Sequence, residues 1–433
     1  MNTVEIIIKK RDKKKLSEGE IRHIISGAVN GHIPDYQLSA FLMASFINGL
    51  DGDETFFMTK AMLESGRILD FSDINGIKID KHSTGGVADT TTLILSPAVA
   101  SLGVPVIKMS GRGLGFSGGT LDKLASIPGF TTDISLGIAK ELVSKSNIVL
   151  MGQSENLAPA DKVLYALRDV TGTVESAPLI VSSIMSKKLA AGADAIVFDV
   201  KCGSGAFMKD YASAKALAES LMSIGNKFGK KTTAVISSMN QPLGSYIGNS
   251  LEVIEAVEVL KGNVKGGLLE VSSTLGGAML ACSGAAETVN DGTAMIKEAI
   301  ESGKALKKFR ELIIQQHGNP EIINDYSLLP HCAVKKELKA ENSGYIHSFN
   351  TDKIGMASVQ TGAGRKEKDD LIDLGAGIIM KARIGDYINR GDTIAEIFSS
   401  SEEKCEASAA ILKESVTLSK SQPEPDKLIL DII

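Results

Sequence analysis

The sequence predicts an α/β protein with a small all-α lobe, a large α/β lobe with a mostly parallel central sheet, and a C-terminal α+β subdomain. Three observations lead to this prediction. Capped helical segments fill residues 1–67. Short apolar runs then alternate with glycine-rich turns and helices, which is typical of a parallel sheet. The last part of the chain, residues 336–433, carries turn-rich β patterns. A length of 433 residues suits two or three domains of about 150 residues each.

The helices of the first lobe are predicted from their ends. Ser17 and Glu20 form a capping-box pattern, and apolar residues follow at helical spacing. Pro34 is expected at the first position of the next helix, and Gly49 at its end. A third helix is expected over residues 54–64. These amphipathic helices need apolar partners, so the lobe is incomplete on its own.

The α/β part begins near residue 76. Its candidate strands are residues 76–80, 104–109, 148–151, 195–200 and 233–237. Two helical stretches, residues 159–170 and 178–190, interrupt this series and could return to the first lobe. The predicted parts are therefore 1–67 with 159–190, 68–158 with 191–335, and 336–433. The chain then crosses between lobes several times, and each crossing is a hinge candidate.

Composition excludes several classes of protein. The apolar fraction of 43%, the charged fraction of 23% and the net charge of −5 are those of a globular protein without a basic nucleic-acid surface. We find no apolar run long enough for a membrane helix and no secretory signal. The four cysteines are scattered without a CxxC pair, which favours reduced thiols in a cytoplasmic protein over a zinc site.

The first glycine-rich loop covers residues 80–92, between a predicted strand and a predicted helix. Glycines let a ligand approach the backbone closely, and amides at a helix start point toward an anion. Hydroxyl donors such as Ser83 and Thr92, and the cation of Lys81, suit phosphate. His82 could donate a proton or a hydrogen bond there. The alternative is a structural turn with capping hydroxyls.

The second glycine-rich loop covers residues 108–120 and again follows a strand. Its donors, Lys108, Ser110 and Thr120, repeat those of the first loop. Ligands collect beyond the carboxyl ends of parallel strands, so two such loops on neighbouring strands would converge on one anion. The alternative is that one of the two loops is only a structural turn.

A third cluster lies in the helical insertion. Ser183 and Lys187 are four residues apart and share a helix face, and Arg168 ends the preceding helix. Together they offer a hydroxyl and two cations from the lobe opposite the glycine loops. The alternative is a solvated basic face, and Lys188 is assigned to such a face.

Long stretches of the chain resemble the pyrimidine-nucleoside and thymidine phosphorylases. The resemblance includes residues 80–89 and 110–130, with the motifs SGRGLG, GGTLDKL and IPGF. It continues through KKRD at residues 9–12, YALRDVTGTV, SSIMSKKLAAGADAIVFDVK and GSGAFMK within 165–209, residues 239–255, and GAGR at 362–365. The resemblance therefore covers nearly the whole chain.

The resemblance implies a cleft between an α lobe and an α/β lobe, a homodimer, and two substrates, inorganic phosphate and a pyrimidine nucleoside. Phosphate would be held by Lys81, Ser83, Thr92, Lys108, Ser110 and Thr120. The pyrimidine would be held by Arg168, Ser183 and Lys187. The expected catalytic residues are His82, which would assist the leaving base, with Arg168 and Lys187.

No organic cofactor is expected, but the resemblance implies a structural monovalent cation, usually potassium. Its oxygen ligands would come from Ala88, Thr90, Leu243, Tyr246 and Glu255. The chain departs from the family pattern at several positions, and the stretch 202–204 and Tyr246 are also less usual for the family. Ala88 stands where the family usually has Gly, Phe116 where it has His, and Ala125 where it has Glu. Ala88 would restrict a backbone angle near the cation, and Phe116 would remove a polar contact from the second loop.

The resemblance implies reversible phosphorolysis of pyrimidine nucleosides (uridine, thymidine and deoxyuridine) to free base and (deoxy)ribose 1-phosphate. Lys108 and residues 240–244 favour the broad pyrimidine enzymes over a strict thymidine phosphorylase. Two further alternatives stay open. One is an anthranilate-type phosphoribosyltransferase, which would need acidic residues for Mg²⁺ that we do not find after the second loop. The other is a non-catalytic nucleoside-binding homologue, motivated by Ala88 and Phe116.

Overall fold

The computed structural model describes residues 1–113, 118–153, 156–367 and 370–433. It confirms the predicted fold class. The helices are α1 Thr3–Arg11, α2 Glu18–Val29, α3 Asp35–Asn48, α4 Gly52–Glu64, α5 Thr91–Ser101, α6 Thr120–Ala125, α7 Leu136–Ser146, α8 Pro159–Thr171, α9 Ala177–Ala190, α10 Tyr211–Lys227, α11 Asn249–Leu260, α12 Gly267–Ser283, α13 Val289–Glu301, α14 Lys304–Gln315, α15 Thr351–Thr361 and α16 Glu402–Ser415.

The strands form one large sheet and two small ones. They are β1 Ile79–Ser83, β2 Val106–Ser110, β3 Ile148–Gly152, β4 Ala195–Cys202, β5 Lys231–Ser238, β6 Tyr246–Ile247, β7 Val334–Lys339, β8 Gly344–Phe349, β9 Gly377–Met380, β10 Tyr387–Ile388, β11 Thr393–Ser399, β12 Val416–Ser419 and β13 Ile429–Ile432.

The helical lobe contains α1–α4 and is completed by the insertion. Ser17 caps α2 and exchanges hydrogen bonds with Glu20, as predicted. Pro34 is not the first helical residue as expected; its extended ψ of 154° makes it the N-cap of α3. The core of the lobe includes Ala160 and Leu164 from α8 and Leu179 from α9. The apolar faces of the first helices are therefore buried in part against α8 and α9. The predicted domain boundaries remain predictions.

Three chain segments pass between the lobes side by side. The Arg67 amide donates to the Asn156 carbonyl at 2.8 Å, and the Leu69 amide donates to the Ala190 carbonyl at 2.8 Å. Gly192 has a φ of 81° and packs against the segment that contains Leu69. A Cβ on Gly192 would be 2.2 Å from the Leu69 carbonyl oxygen. The crossings between lobes therefore meet at one place.

The central sheet has the strand order β13-β5-β4-β1-β2-β3. Strands β1 to β5 are parallel, whereas β13 pairs antiparallel with β5 at the edge. The first strand begins at Ile79, because Gly76 is in a turn with φ of 87° and the Ile79 amide is the first to pair, with the Pro105 carbonyl. The predicted strand over residues 76–80 was thus too early. His82 and Ser83 consequently lie at the end of the strand.

The C-terminal subdomain combines α15 and α16 with two antiparallel sheets, ordered β10-β8-β12 and β6-β9-β11-β7. Its core includes Val87 and Ala88 from the first glycine loop. This packing joins the subdomain to the loop that follows β1. Among the described residues, no helix combines the length and apolar character needed to cross a membrane.

Candidate active site

The two glycine loops converge, as the sequence predicted. Ser83 ends β1 and Ser110 ends β2, and these strands are parallel neighbours. Thr92 lies in the first turn of α5, and Thr120 begins α6. One cavity of about 220 Å³ is lined by all six predicted phosphate ligands, Lys81, Ser83, Thr92, Lys108, Ser110 and Thr120. Their role as ligands remains a prediction, but they share a single space.

The cavity lining has more basic than acidic side chains, with four lysines against the carboxylate of Asp89. Lys188 contacts Asp80 at 2.7 Å, and Lys108 lies 3.6 Å from the same carboxylate. Burial, with Lys188 and Lys81 nearby, holds the pKa of Lys108 well below its usual range, although Asp80 opposes the shift. Burial and the surrounding lysines likewise hold the pKa of His82 well below its ordinary value. One carboxylate shared by two ammonium groups leaves a site suited to an anion.

The assignment of Lys188 to a solvated face was wrong. Its side chain is buried, and its ammonium group donates to Asp80 and to the Met109 carbonyl at 2.9 Å. Lys188 follows Lys187 on α9, so the two ammonium groups reach the cavity from one helix. A basic pair on a helix indicates solvent exposure only when the opposite lobe does not cover it.

One carboxylate, that of Asp89, orders the first loop, and the sequence did not single it out. Asp89 accepts hydrogen bonds from Ser83 Oγ at 2.7 Å and Thr91 Oγ1 at 2.5 Å, and Lys81 donates to the same Thr91 oxygen at 2.7 Å. Burial opposes ionisation of Asp89, but Lys201, Lys81 and Lys123 hold its pKa well below the ordinary value. The single proton of Ser83 Oγ is thereby directed to Asp89, so this hydroxyl can donate to a ligand only by releasing the carboxylate.

The second loop presents a hydroxyl that has no partner in the described part of the chain. Ser110 Oγ is buried and makes no hydrogen bond there. A buried polar atom without a partner costs free energy, so this oxygen is available to a ligand in the cavity. Phe116, one of the departures from the family pattern, lies outside the described residues.

A second cavity, of about 290 Å³, adjoins the first and contains the third predicted cluster. Arg168, Ser183 and Lys187 line it together with apolar side chains, among them Ile180 and Leu217. His82, Ser83, Gly85, Ile184 and Lys187 line both cavities. The two cavities therefore share one wall.

The side chains of this cluster are held in place, which contradicts the alternative of a solvated basic face. Arg168 is buried and donates to the carbonyls of Thr173, Val174 and Leu179. Lys187 donates to Ser183 Oγ at 3.2 Å. Burial lowers the pKa of Arg168 from its ordinary value. A fixed guanidinium, a hydroxyl and an ammonium group thus meet at one wall.

Asp161 and Tyr165 belong to the same wall and were not singled out from the sequence. Asp161 Oδ2 is 2.7 Å from the ammonium group of Lys187. The guanidinium carbon of Arg168 lies over the Tyr165 ring, 5.8 Å from the ring centroid. Residues 161, 165 and 168 follow at helical spacing on α8. This spacing was the signal that could have found them.

The five residues predicted to hold a cation are neighbours. The Ala88 carbonyl accepts the amides of Thr90 at 3.1 Å and Gly244 at 3.2 Å, and a Cβ on Gly244 would be 2.1 Å from Glu255 Oε2. Thr90 Oγ1 donates to Glu252, one turn before Glu255 on α11. Ala88 has φ of 54°, the strained angle expected from an alanine where the family usually has glycine.

The buried carboxylate of Glu255 fits a cation. It accepts the amides of Ser245 at 2.7 Å and Tyr246 at 3.2 Å, and within the described ranges it forms no ion pair with Lys or Arg. Burial raises its pKa to about 7. Arg383 donates to the Leu243 carbonyl at 3.2 Å, but a carbonyl oxygen has a second lone pair. Arg383 also acts electrostatically on Glu255, and a cation would have to displace one of the two amides from the Ala88 carbonyl. The oxygen atoms present are nevertheless of the kind that a hard cation takes.

Comparisons with known proteins place these observations in a family. Two glycosyl transferase family models match, the helical bundle domain over residues 4–66 and the a/b domain over residues 75–306. The model of the pyrimidine nucleoside phosphorylase C-terminal domain matches residues 345–419. Among solved structures, anthranilate phosphoribosyltransferase from Thermus thermophilus has a similar fold, with a TM-score of 0.59, 19% identity, and coverage of 72% of this chain and 99% of that one.

Curated relatives are similar over almost the whole length. A pyrimidine-nucleoside phosphorylase from Geobacillus stearothermophilus is 48% identical over 433 residues, covering 100% of both chains. Another, from Staphylococcus epidermidis, is 50% identical over 403 residues, covering 93% of each. Because identity and coverage are both high, the chain belongs to the pyrimidine-nucleoside phosphorylase family.

Proposed function

We propose that this protein is a pentosyltransferase that catalyses reversible phosphorolysis of uridine, thymidine and deoxyuridine to free base and (deoxy)ribose 1-phosphate. The observation that carries the proposal is the pair of adjoining cavities. One is rich in lysine and hydroxyl groups, and the other is apolar with Arg168, Ser183 and Lys187 at its wall. His82 lies where the two cavities meet.

In the reaction, the bond between the sugar and the base nitrogen breaks as a bond forms between the sugar and a phosphate oxygen. The proton of the hydrogen phosphate is transferred overall to the base nitrogen. Lys81, Lys108 and the hydroxyls of both loops would hold phosphate against the sugar. Holding two reactants in line removes several kcal/mol from the barrier, on the order of 7 or more in favourable cases.

The departing base gains negative charge, which the opposite wall is suited to stabilise. Arg168 and Lys187 supply positive charge, and Ser183 supplies a hydroxyl donor. Because its pKa is held low, His82 is neutral and would act by donating a hydrogen bond from its ring nitrogen to the base. The bonding groups lie on two lobes, so closing of the cleft would complete the site.

A structural potassium ion is part of the proposal. Ala88, Thr90, Leu243, Tyr246 and Glu255 would hold it through oxygen atoms, and it would neutralise the buried carboxylate. We expect potassium to raise the melting temperature above that in an equal concentration of choline chloride, and Glu255→Gln to abolish the difference. An equal melting temperature in both salts would contradict this assignment.

A homodimer is also proposed, and its support is an exposed apolar face on the helical lobe. Val4 and Ile8 on α1 and Met43, Phe46 and Ile47 on α3 are exposed, and α1 packs on α3. A second copy of the chain would cover this face. Light scattering should give twice the chain mass, and Ile47→Glu should shift it toward the monomer. A cytoplasmic location is proposed because all four cysteines are free thiols.

The test incubates the protein with uridine, thymidine or deoxyuridine, with and without phosphate, and measures the free base. We expect phosphate-dependent release of base from all three, and little from Lys108→Met. Release from thymidine and deoxyuridine alone would indicate a strict thymidine phosphorylase. Binding of uridine without release would indicate a non-catalytic homologue, and product from anthranilate, phosphoribosyl pyrophosphate and Mg²⁺ would indicate the phosphoribosyltransferase.

A further inference from the structure

An arginine of the C-terminal subdomain forms hydrogen bonds and an ion pair with residues at the second glycine loop. Arg365 follows α15 by four residues, and its guanidinium contacts Asp122 of α6 through two bonds of 2.9 Å each. The same guanidinium donates to the Gly113 carbonyl at 3.1 Å. Asp122 is buried and Arg365 nearly so. A bidentate pair of this kind is strong and fixes direction.

This ion pair holds together the two sides of the loop at Gly113 and Gly119, which we call the neck of the loop. Asp122 Oδ2 also accepts the Gly113 amide at 2.7 Å, so both polar groups of Gly113 are held by this pair. A Cβ on Gly119 would be 2.0 Å from the Gly113 nitrogen, which shows how closely the two sides of the neck approach. Ser110 and Thr120 flank this neck, and both line the lysine-rich cavity. Their separation therefore depends on the Arg365–Asp122 pair.

The ion pair also compensates the negative charge of the buried Asp122 carboxylate. Asp122 is a buried carboxylate in the helix that carries Thr120, near the proposed phosphate site. Arg112 contacts Asp122 at 3.3 Å, but its side chain is 65% exposed, so Arg365 is the main buried counter-charge. The backbone before Arg365 is itself held, because Asn249 of α11 donates to the Ala363 carbonyl at 2.9 Å.

We infer that Arg365 is a positioning residue for phosphate, acting through Asp122 on the neck of the second glycine loop. This inference rests on the proposed function. It gives the C-terminal subdomain a part in binding one of the two substrates, although Arg365 does not line either cavity. Among the described residues, the side-chain hydrogen bonds and ion pairs of Arg365 and Asp122 go to Arg112, to Gly113 and to each other, and none of them reaches α8 or α9 on the nucleoside side of the cleft.

The test compares the full-length variants Arg365→Gln and Arg365→Lys with the wild-type protein. Arg365→Gln should raise the KM for phosphate on the order of tenfold or more, while the KM for thymidine changes by less than about twofold. Arg365→Lys should fall between the two, because an ammonium group cannot form the bidentate contact. Arg310→Gln, which removes an exposed pair with Glu321 at 2.7 Å, is the matched control and should leave both constants unchanged.

Two further measurements separate the explanations. In the Asp122→Asn background, Arg365→Gln should raise the KM for phosphate by less than it does in the wild type, because the charge that it unmasks is gone. Calorimetric titration of inorganic phosphate into the protein needs no turnover. If the wild type binds phosphate without cleaving nucleosides, the proposed function fails and the role of Arg365 can still be measured.

Unchanged phosphate binding in folded Arg365→Gln would overturn the inference. An equal rise in both KM values would do the same, because it would indicate a general structural effect. If Arg365→Gln does not fold, Arg365→Lys supplies the same comparison, and a wild-type KM for phosphate in that folded variant would also contradict the inference.

Discussion

His82 is half-buried between the two cavities, and its pKa is well below the ordinary histidine value, mainly because of desolvation and also because four lysines lie nearby. Its ring is therefore neutral above pH 6.5. We expect kcat/KM for the nucleoside at saturating phosphate not to fall as the pH rises through 6.5. His82→Gln should lower kcat about a hundredfold. A loss of activity with an apparent pKa near 6.5 that vanishes in His82→Gln would show that the imidazolium form is required.

Lys187 lines both cavities, and its ammonium group is 2.7 Å from Asp161. We expect Lys187→Ala to lower kcat by about 10²- to 10³-fold, because the departing base loses a charged partner. The KM for phosphate should change far less. Lys227→Ala, on the surface beside Asp53, is the control. Equal losses in kcat and in phosphate binding would contradict the role, and melting curves would reveal any destabilisation from the unpaired Asp161.

At the level of residues, the sequence revealed donors within glycine motifs more readily than the groups that hold them. Ser83 and Lys108 stand in loops whose composition indicates an anion. Asp89 and Asp122 order those loops by accepting several hydrogen bonds each, which depends on the tertiary structure. The burial of Lys188 could not be predicted either, because Lys188 is covered by the strand that carries Asp80, which is distant in sequence.

The neck of the second loop permits a test at the scale of an element. Gly119 has an ordinary φ of −84°, but a Cβ there would be 2.0 Å from the Gly113 nitrogen. Gly119→Ala must therefore open the neck, and we expect the KM for phosphate to rise on the order of tenfold or more. Gly137→Ala on α7 is matched, because its Cβ would meet nothing within 4 Å. A folded Gly119→Ala variant with normal phosphate kinetics would show that the neck geometry is unimportant.

Elements with local signals were predictable and elements with distant partners were not. The capping box of α2 and the apolar runs of β2 to β5 appear in the sequence within a few residues of where they occur. Strand β13 was missed, because four residues after a loop form a strand only through pairing with β5, about two hundred positions away in sequence. The start of β1 was likewise fixed by pairing with the chain near Pro105.

For the whole molecule, the meeting point of the lobe crossings should control closure. Gly192→Ala would place a Cβ 2.2 Å from the Leu69 carbonyl oxygen, in a backbone with φ of 81°. We expect kcat and both KM values to change together, since the cleft is disturbed rather than one binding group. Gly229→Ala has a similar φ of 71° but meets nothing within 4 Å, so it isolates the cost of backbone strain, about 1–2 kcal/mol. Wild-type kinetics in Gly192→Ala would exclude this crossing as a hinge.

The helical lobe is assembled from two stretches of chain that are far apart, with α8 packed on α2 and α3 and α9 packed on α4. During synthesis on the ribosome, α1–α4 emerge long before the helices that cover them. The usual order, in which the amino-terminal unit folds first, therefore cannot apply to this lobe. The apolar core of the lobe, which includes Ala160, Leu164 and Leu179, stays incomplete until residue 190 has left the exit tunnel, so a stalled nascent chain would be a substrate for chaperones or prone to aggregation.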